Sequence, residues 1–176
     1  MKIRLYGTVN DSIVDGPGLR YVIFTQGCLH HCPGCHNPDS HAIDGGYIED
    51  TEQCLLEIDQ NPLLDGVTLS GGEPFLQATA LIHFVQKVKK RHLHVMIYSG
   101  YTFEEILELG DEEKKLLSLC DTLVDGKFIL SLKSMELLYK GSSNQRIIDI
   151  QASLKTHMVI EQEINEIGRA SCRERV

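Results

Sequence analysis

The most informative stretch of this sequence, residues 27–38, reads GCLHHCPGCHNP and places Cys28, Cys32 and Cys35 within eight residues. Three thiolates on one short loop can face a common point, as the ligands of an iron–sulfur cluster must. No fourth cysteine lies nearby in the sequence, so one iron of a four-iron cluster would have no protein ligand and could bind a small molecule. The spacing therefore favours a [4Fe–4S] cluster bound by these three cysteines.

Two other kinds of site fit part of the same pattern. A structural zinc ion wants four ligands, and the fourth could be His30, His31 or His36. A redox-active dithiol is the second alternative, because residues 32–35 read CPGC and follow a predicted strand. A dithiol would leave Cys28 without a role. A zinc site would have its ligands on one short loop, whereas zinc ligands are usually spaced as two separate pairs. Both alternatives stay open from the residues alone.

The segments on either side of this loop alternate between strand and helix patterns. Strands are predicted over 3–9, 19–25, 67–70, 94–98, 122–124 and 147–154, and helices over 51–60, 75–91, 102–109 and 112–119. This alternation predicts an α/β fold with a mostly parallel sheet, right-handed crossovers and helices on its outer side. A closed eight-fold barrel takes about 250 residues. With 176 residues, we expect a partial, open (β/α) barrel.

Four glycine- or cysteine-rich patches each follow a predicted strand. They are residues 27–35, 71–73, 99–101 and 125–127. In parallel sheets, ligands bind beyond the carboxyl ends of the strands, which all meet at one edge. We therefore expect these four patches to share one rim and to form a single site.

The second of these patches belongs to residues 70–74, which read SGGEP. Its two glycines would let the backbone approach a ligand without interference from Cβ atoms, and Glu73 could pair with an ammonium group. Asp125 and Lys127 offer opposite charges at the end of another predicted strand. The alternative in both places is an ordinary turn with solvated charges.

Composition excludes several classes of function. The formal net charge is −8, which argues against a nucleic-acid groove because phosphate binding needs clustered Lys and Arg. No stretch is apolar enough for a membrane span, and the start, MKIRLYGTVNDS, lacks the apolar core of a signal peptide. We therefore expect a cytoplasmic protein that binds neither nucleic acid nor membrane.

The C-terminal residues 166–176, EIGRASCRERV, match the translation of a common sequencing adapter. We interpret them as an artefactual tail, with a genuine basic tail as the alternative, and expect residues 1–165 to form a single domain. Outside the tail, Cys54 and Cys120 lie among leucine and isoleucine residues. Both are predicted to be small core residues, not metal ligands.

Several of these motifs resemble a known superfamily. The cysteine spacing of residues 28–35, together with SGGEP at 70–74, resembles the radical S-adenosylmethionine superfamily. DGPGLR at residues 15–20 resembles the glycyl-radical-enzyme activases within it. Three further stretches look like the anaerobic ribonucleoside-triphosphate reductase-activating proteins: YSGYTFEE at 98–105, LVDGKF at 123–128 and KGSSNQR at 140–146. The likeness covers most of residues 1–154.

The resemblance implies a role for each matching residue. Cys28, Cys32 and Cys35 would bind the cluster, and S-adenosyl-L-methionine would chelate its remaining iron through its amino and carboxylate groups. The residues implied to border that cofactor are Gly34, Cys35, His36, Gly71, Gly72, Glu73, Asp125 and Lys127. The turn 71–73 matches the one that binds the methionine ammonium. Members of this family usually have no catalytic acid or base, and we nominate none.

The same resemblance implies the reaction and its partners. Reduced flavodoxin would supply one electron, and reductive cleavage of the cofactor would give methionine and a 5′-deoxyadenosyl radical. That radical would abstract hydrogen from a glycine of the anaerobic (class III) ribonucleoside-triphosphate reductase. One alternative is an activase of another glycyl radical enzyme, such as pyruvate formate-lyase. Another is a non-enzymatic zinc or iron–sulfur electron-transfer module.

Overall fold

The computed structural model describes residues 1–162, and within them seven strands form one sheet in the order β3-β1-β2-β4-β5-β6-β7. The strands are β1 (Lys2–Ser12), β2 (Arg20–Thr25), β3 (Tyr47–Asp50), β4 (Gly66–Gly71), β5 (His94–Tyr98), β6 (Thr122–Asp125) and β7 (Arg146–Asp149). The four strands β2, β4, β5 and β6 are parallel, whereas β1, β3 and β7 pair antiparallel at the two sides. The predicted α/β fold with an open sheet is confirmed, and its curvature into a partial barrel stays a prediction.

One face of this sheet is covered by helices. They are α1 (Thr51–Asp59), α2 (Ala78–Lys89), α3 (Phe103–Leu107), α4 (Asp111–Leu119) and α5 (Ile150–Thr156). Alternate strand residues, such as Val67 and Leu69 of β4, pack in the same fully buried cluster as Leu81 and Phe84 of α2. Because strand side chains alternate between the two faces, the residues between them lie on the other face of the sheet. Among residues 1–162, no helix is long and apolar enough to cross a membrane.

Cys54 and Cys120 belong to this helix-side core, with 1% and 0% of their surfaces exposed, so the prediction for both is confirmed. Side-chain caps set the starts of two helices. The side chain of Asp50 caps α1, and Thr102 and Glu105 form a capping box at α3.

The main differences from the prediction concern three elements. The strand predicted over 147–154 is half wrong, because Asp149 accepts a hydrogen bond from the N–H of Ala152 and so starts α5. Helix α2 begins at Ala78, because Pro74–Gln77 form a separate 3₁₀ turn. The short edge strand β3 was not predicted. The expected tail, residues 166–176, lies outside the described residues.

The amino ends of the parallel strands are held together by Arg20, which is only 1% exposed. Its guanidinium donates to Thr68 Oγ1 at 2.7 Å and to the carbonyl oxygens of Pro17 and Val67 at 2.9 Å. One of its nitrogens also lies 2.9 Å from His94 Nδ1. The arginine of the 15–20 stretch therefore has a structural role, at the end of the sheet opposite the cysteines.

His94 makes the stability of the fold depend on pH. Burial and the nearby guanidinium of Arg20 lower the pKa of His94 from 6.5 to about 4. As pH falls between these two values, the unfolded chain takes up a proton here that the folded protein does not, so unfolding is favoured. We expect this residue to lower the free energy of unfolding of the metal-free protein by up to about 3 kcal/mol between about pH 7 and about pH 4.

Urea denaturation across that range measures the effect, and His94→Asn is the matched control. Asparagine does not titrate, and its side-chain oxygen can accept the Arg20 hydrogen bond in place of Nδ1. The variant should lose less stability on acidification than the wild type. Identical pH dependence in the two proteins would contradict the prediction.

Candidate functional site

Residues from all four predicted patches line one cavity of about 670 Å³ at the carboxyl ends of the parallel strands. The lining residues from these patches are Cys28, His30, Cys32, Cys35, Gly71, Gly72, Ser99, Gly100 and Gly126. The expectation of a shared rim is confirmed. The physical reason is that parallel strands bring their carboxyl ends, and the loops that follow them, to one edge of the sheet.

The cysteine loop, residues 27–36, is held by its own backbone and by the segment that follows it. The N–H of Gly27 donates to Ser40 O at 2.7 Å, and the N–H of Cys28 donates to His41 O at 3.0 Å. A further bond of 3.1 Å, from the N–H of Cys35 to Cys32 O, closes a tight turn between these two cysteines. These contacts hold the loop so that its three thiols line the cavity.

The three thiols differ in exposure. Cys28 is 8% exposed, whereas Cys32 and Cys35 are half-buried, and none of the three forms a disulfide. Burial raises the pKa of the Cys28 thiol, and backbone hydrogen bonds from His30 and His31 partly oppose that shift. Thiolates are the form that binds metal, so binding would displace a proton from Cys28.

The arrangement of donors distinguishes the kinds of metal site. Within residues 1–162, no three Cys, His, Asp or Glu side chains are gathered closely enough to hold one metal ion. A zinc ion needs four ligands around a single atom, whereas a four-iron cluster bound by three cysteines takes one thiolate on each of three irons. Cys28, Cys32 and Cys35 all line the cavity, so the protein offers the three thiolates that such a cluster needs.

The glycine turn, residues 70–74, lies directly against the start of the cysteine loop. The N–H of Gly72 donates to Thr25 O, and the N–H of Glu73 donates to Gly27 O, both at 2.8 Å. Gly71 has a φ of +99°, and a Cβ there would lie 2.4 Å from Thr25 N. A Cβ on Gly72 would lie 2.3 Å from Gly27 O. Glycine is therefore required at both positions for the two segments to pack.

Glu73 lies behind the wall of the cavity and is 1% exposed. Its Oε1 accepts hydrogen bonds from His30 Nε2, Ser99 Oγ and the N–H of Gly100, each at 2.8 Å. Its Oε2 accepts from the N–H of Phe75 at 3.1 Å. The sequence indicated a ligand-binding carboxylate here, but the observed partners of Glu73 are groups of the protein itself.

Of the other predicted site residues in the cysteine loop, two line the cavity and one packs against a neighbouring loop. Cys35 and His36 line the cavity, and the His36 ring lies 5.2 Å from the ring of Phe128. Gly34 packs against Leu130, whose Cδ1 would lie 2.8 Å from a Cβ at that glycine.

Asp125 and Lys127 are not brought together in the structure. Asp125 is 1% exposed and accepts hydrogen bonds from the N–H of Phe103 at 2.7 Å and from Arg146 Nη2 at 2.6 Å. Lys127 is exposed, and Gly126, between the two, is the residue that lines the cavity. The sequence did not identify Arg146 as a partner of Asp125, because the two residues are 21 positions apart and belong to different strands, β7 and β6.

A loop that sequence reasoning did not resolve forms one wall of the site. Gln145 accepts a hydrogen bond from the N–H of Gly141 at 2.8 Å and donates to Gly126 O at 2.9 Å, while Asn144 donates to Lys127 O at 2.9 Å. These amides tie the two ends of the loop together. The loop lines the cavity through Phe128, Lys133, Ser134, Met135, Leu137, Tyr139, Lys140 and Gly141. The sequence feature that could have indicated this wall is the GSSNQR stretch, which contains both Asn144 and Gln145.

Comparison with known proteins gives a family match that covers this site and relatives that match most of the chain. A family described as a 4Fe-4S single cluster domain matches residues 14–148, which include the cysteine loop, the glycine turn and Gln145. An anaerobic ribonucleoside-triphosphate reductase-activating protein of Vibrio cholerae is 35% identical over 143 residues, 77% of this chain and 90% of that protein. The protein of the same name from Escherichia coli K12 is 32% identical over 76% of this chain and 90% of its own length. A pyruvate formate-lyase-activating enzyme of Listeria monocytogenes is 36% identical over 86% of this chain and 63% of that enzyme.

Proposed function

Because this chain belongs to the family of anaerobic ribonucleoside-triphosphate reductase-activating proteins, we propose that it is the enzyme that installs the glycyl radical of such a reductase. The observation that supports this most directly is the single cavity shared by the three cysteines, the glycine turn and the ends of the parallel strands. Redox cofactors bind in such clefts when the protein supplies ligands on one side and orienting groups on the other.

Cys28, Cys32 and Cys35 are proposed to bind a [4Fe–4S] cluster through their thiolates. When bound, the cluster would deliver the electron that cleaves S-adenosyl-L-methionine, giving methionine and a 5′-deoxyadenosyl radical that takes hydrogen from a glycine of the reductase. We propose reduced flavodoxin as the source of that electron and the cytoplasm as the place of the reaction. The protein itself would bind and orient S-adenosyl-L-methionine and would exclude water from the cavity.

The residues around the cavity would orient S-adenosyl-L-methionine. Gly34, Cys35 and His36 are proposed to border it on the side of the cysteine loop. The turn 71–73 would face its ammonium group through the backbone, because the Glu73 carboxylate is already occupied by four hydrogen bonds from the protein.

Asp125 and Lys127 are the remaining residues that we assign to this cofactor. They flank Gly126, which lines the cavity. Asp125 is held by Arg146 and the N–H of Phe103, so its contact with the cofactor would require exchange of one of these partners.

The main competing function is activation of pyruvate formate-lyase. The matched region spans 90% of the reductase-activating proteins but 63% of the Listeria formate-lyase-activating enzyme, which favours the reductase as partner. The test is to incubate the reconstituted, reduced protein and S-adenosyl-L-methionine with each partner and to record electron paramagnetic resonance spectra. We expect a glycyl radical with the reductase and none when S-adenosyl-L-methionine is omitted. A radical with formate-lyase alone would overturn the assignment.

A further inference from the structure

One side chain of the cysteine loop has no role in the function proposed above. His30 lies between Cys28 and Cys32 in the sequence, yet its side chain is only 8% exposed. Its Nε2 lies 2.8 Å from Glu73 Oε1, and the Glu73 side chain is 1% exposed. The cysteine loop is thus joined, through a side chain, to a carboxylate buried beneath the cavity wall.

The position of this imidazole is set on more than one side. The rings of His30 and Tyr101 meet edge to face with their centroids 4.6 Å apart. A Cβ at Gly100 would lie 2.5 Å from His30 Cδ2, so the ring occupies space that any larger residue there would fill. The ring is therefore held in a slot that leaves little freedom for rotation.

Glu73 connects this ring to the ends of two strands. The oxygen that faces His30 also accepts hydrogen bonds from Ser99 Oγ and from the N–H of Gly100, which follow β5. Glu73 itself follows β4 and is fixed by the bond between its second oxygen and the N–H of Phe75. A displacement of the cysteine loop would break a hydrogen bond to a buried carboxylate, which is among the stronger kinds in proteins.

We propose that His30 is a positioning residue for the metal-binding loop and that the Glu73 carboxylate is its anchor. This role rests on the proposed binding of a cluster by Cys28, Cys32 and Cys35. Groups that orient metal ligands without touching the metal typically change metal affinity by about 10–100-fold when they are removed. With Nε2 directed at Glu73, that nitrogen is also withdrawn from metal binding.

The test compares variants of His30 with a variant of its neighbour His31. His30→Leu removes the donor, whereas His30→Gln offers an amide N–H at a similar reach to Nε2. His31 is the control, because it is on the same loop but exposed, and its ring meets that of His41 at 5.5 Å between centroids. Its φ is +50°, so the control variant is His31→Asn, because asparagine tolerates left-handed backbone better than leucine does. The readouts are iron per chain after anaerobic reconstitution, the rate of iron loss to a chelator and the spectrum of the reduced cluster.

We expect His30→Leu to lose iron about 10–100-fold faster than the wild type, with His30→Gln close to the wild type and His31→Asn unchanged. Equal rates for His30→Leu and the wild type would overturn the proposal. If His30→Leu does not fold, His30→Asn replaces it, because its amide is too short to reach Glu73; equal rates for His30→Asn and His30→Gln would then overturn it. A wild-type protein that binds no four-iron cluster would instead refute the proposed function, so the two failures are distinguishable.

Discussion

Replacing Cys32 with alanine is expected to abolish cleavage of S-adenosyl-L-methionine. The variant would leave two thiolates for a cluster that needs three from this loop, and a four-iron cluster with two protein ligands is not retained. The loss should exceed the roughly 10–100-fold effect of removing groups that only orient metal ligands. Anaerobic iron and sulfide analysis and chromatographic detection of 5′-deoxyadenosine measure the two parts of this result.

Cys32 suits this test because it is half-buried, so its removal leaves the hydrophobic core intact. The matched control is Cys54→Ala. Cys54 is 1% exposed in the helix-side core, where burial raises its pKa to about 11, and it lies outside the cavity. That variant should lose some stability but keep the iron content and the cleavage activity of the wild type. Retention of four irons and full cleavage by Cys32→Ala would show that the cluster has other ligands.

The second large effect is expected from Gly71→Ala, on folding. The residue has a φ of +99°, where a residue with a Cβ is strained by about 1–3 kcal/mol. The new Cβ would also lie 2.4 Å from Thr25 N, and because that atom belongs to the backbone of a central strand, a side-chain rotation cannot relieve the overlap. Overpacking of this kind costs about 1–3 kcal/mol more, so the free energy of unfolding should fall by about 2–6 kcal/mol.

Urea denaturation of the metal-free protein measures this change. Gly7→Ala is the matched control, because Gly7 lies in β1 and a Cβ there would meet no atom within 4 Å. A glycine within a strand is less stable than alanine by about 0.5–1 kcal/mol, so the control should be neutral or slightly stabilising. If Gly71→Ala were as stable as Gly7→Ala, the close approach between the glycine turn and β2 would not be a requirement of the fold.

The sequence was sufficient to predict a strand or helix wherever the local residue pattern alone decides the secondary structure. The strand predicted over 94–98 is β5 as observed, because a continuous apolar run in a parallel sheet has few alternatives. Prediction failed at residues 147–154, where an apolar run supported a strand but a capping side chain, Asp149, began a helix. Likewise β3 was missed because its side chains are exposed or half-buried, so it lacks the apolar alternation that marks a strand.

The sequence by itself determined the chemistry available to this protein: three thiols at cluster spacing, and glycines at the points where strands end. Both are properties of residue type and spacing along the chain. Only the tertiary structure decided what the charged side chains do. Glu73 and Asp125 looked like ligand-binding groups in the sequence, yet they are 1% exposed and hold His30 and Arg146, respectively. The physical reason is that a buried carboxylate must find hydrogen-bond donors, and its donors here lie 43 and 21 residues away along the chain, brought near by the pairing of strands.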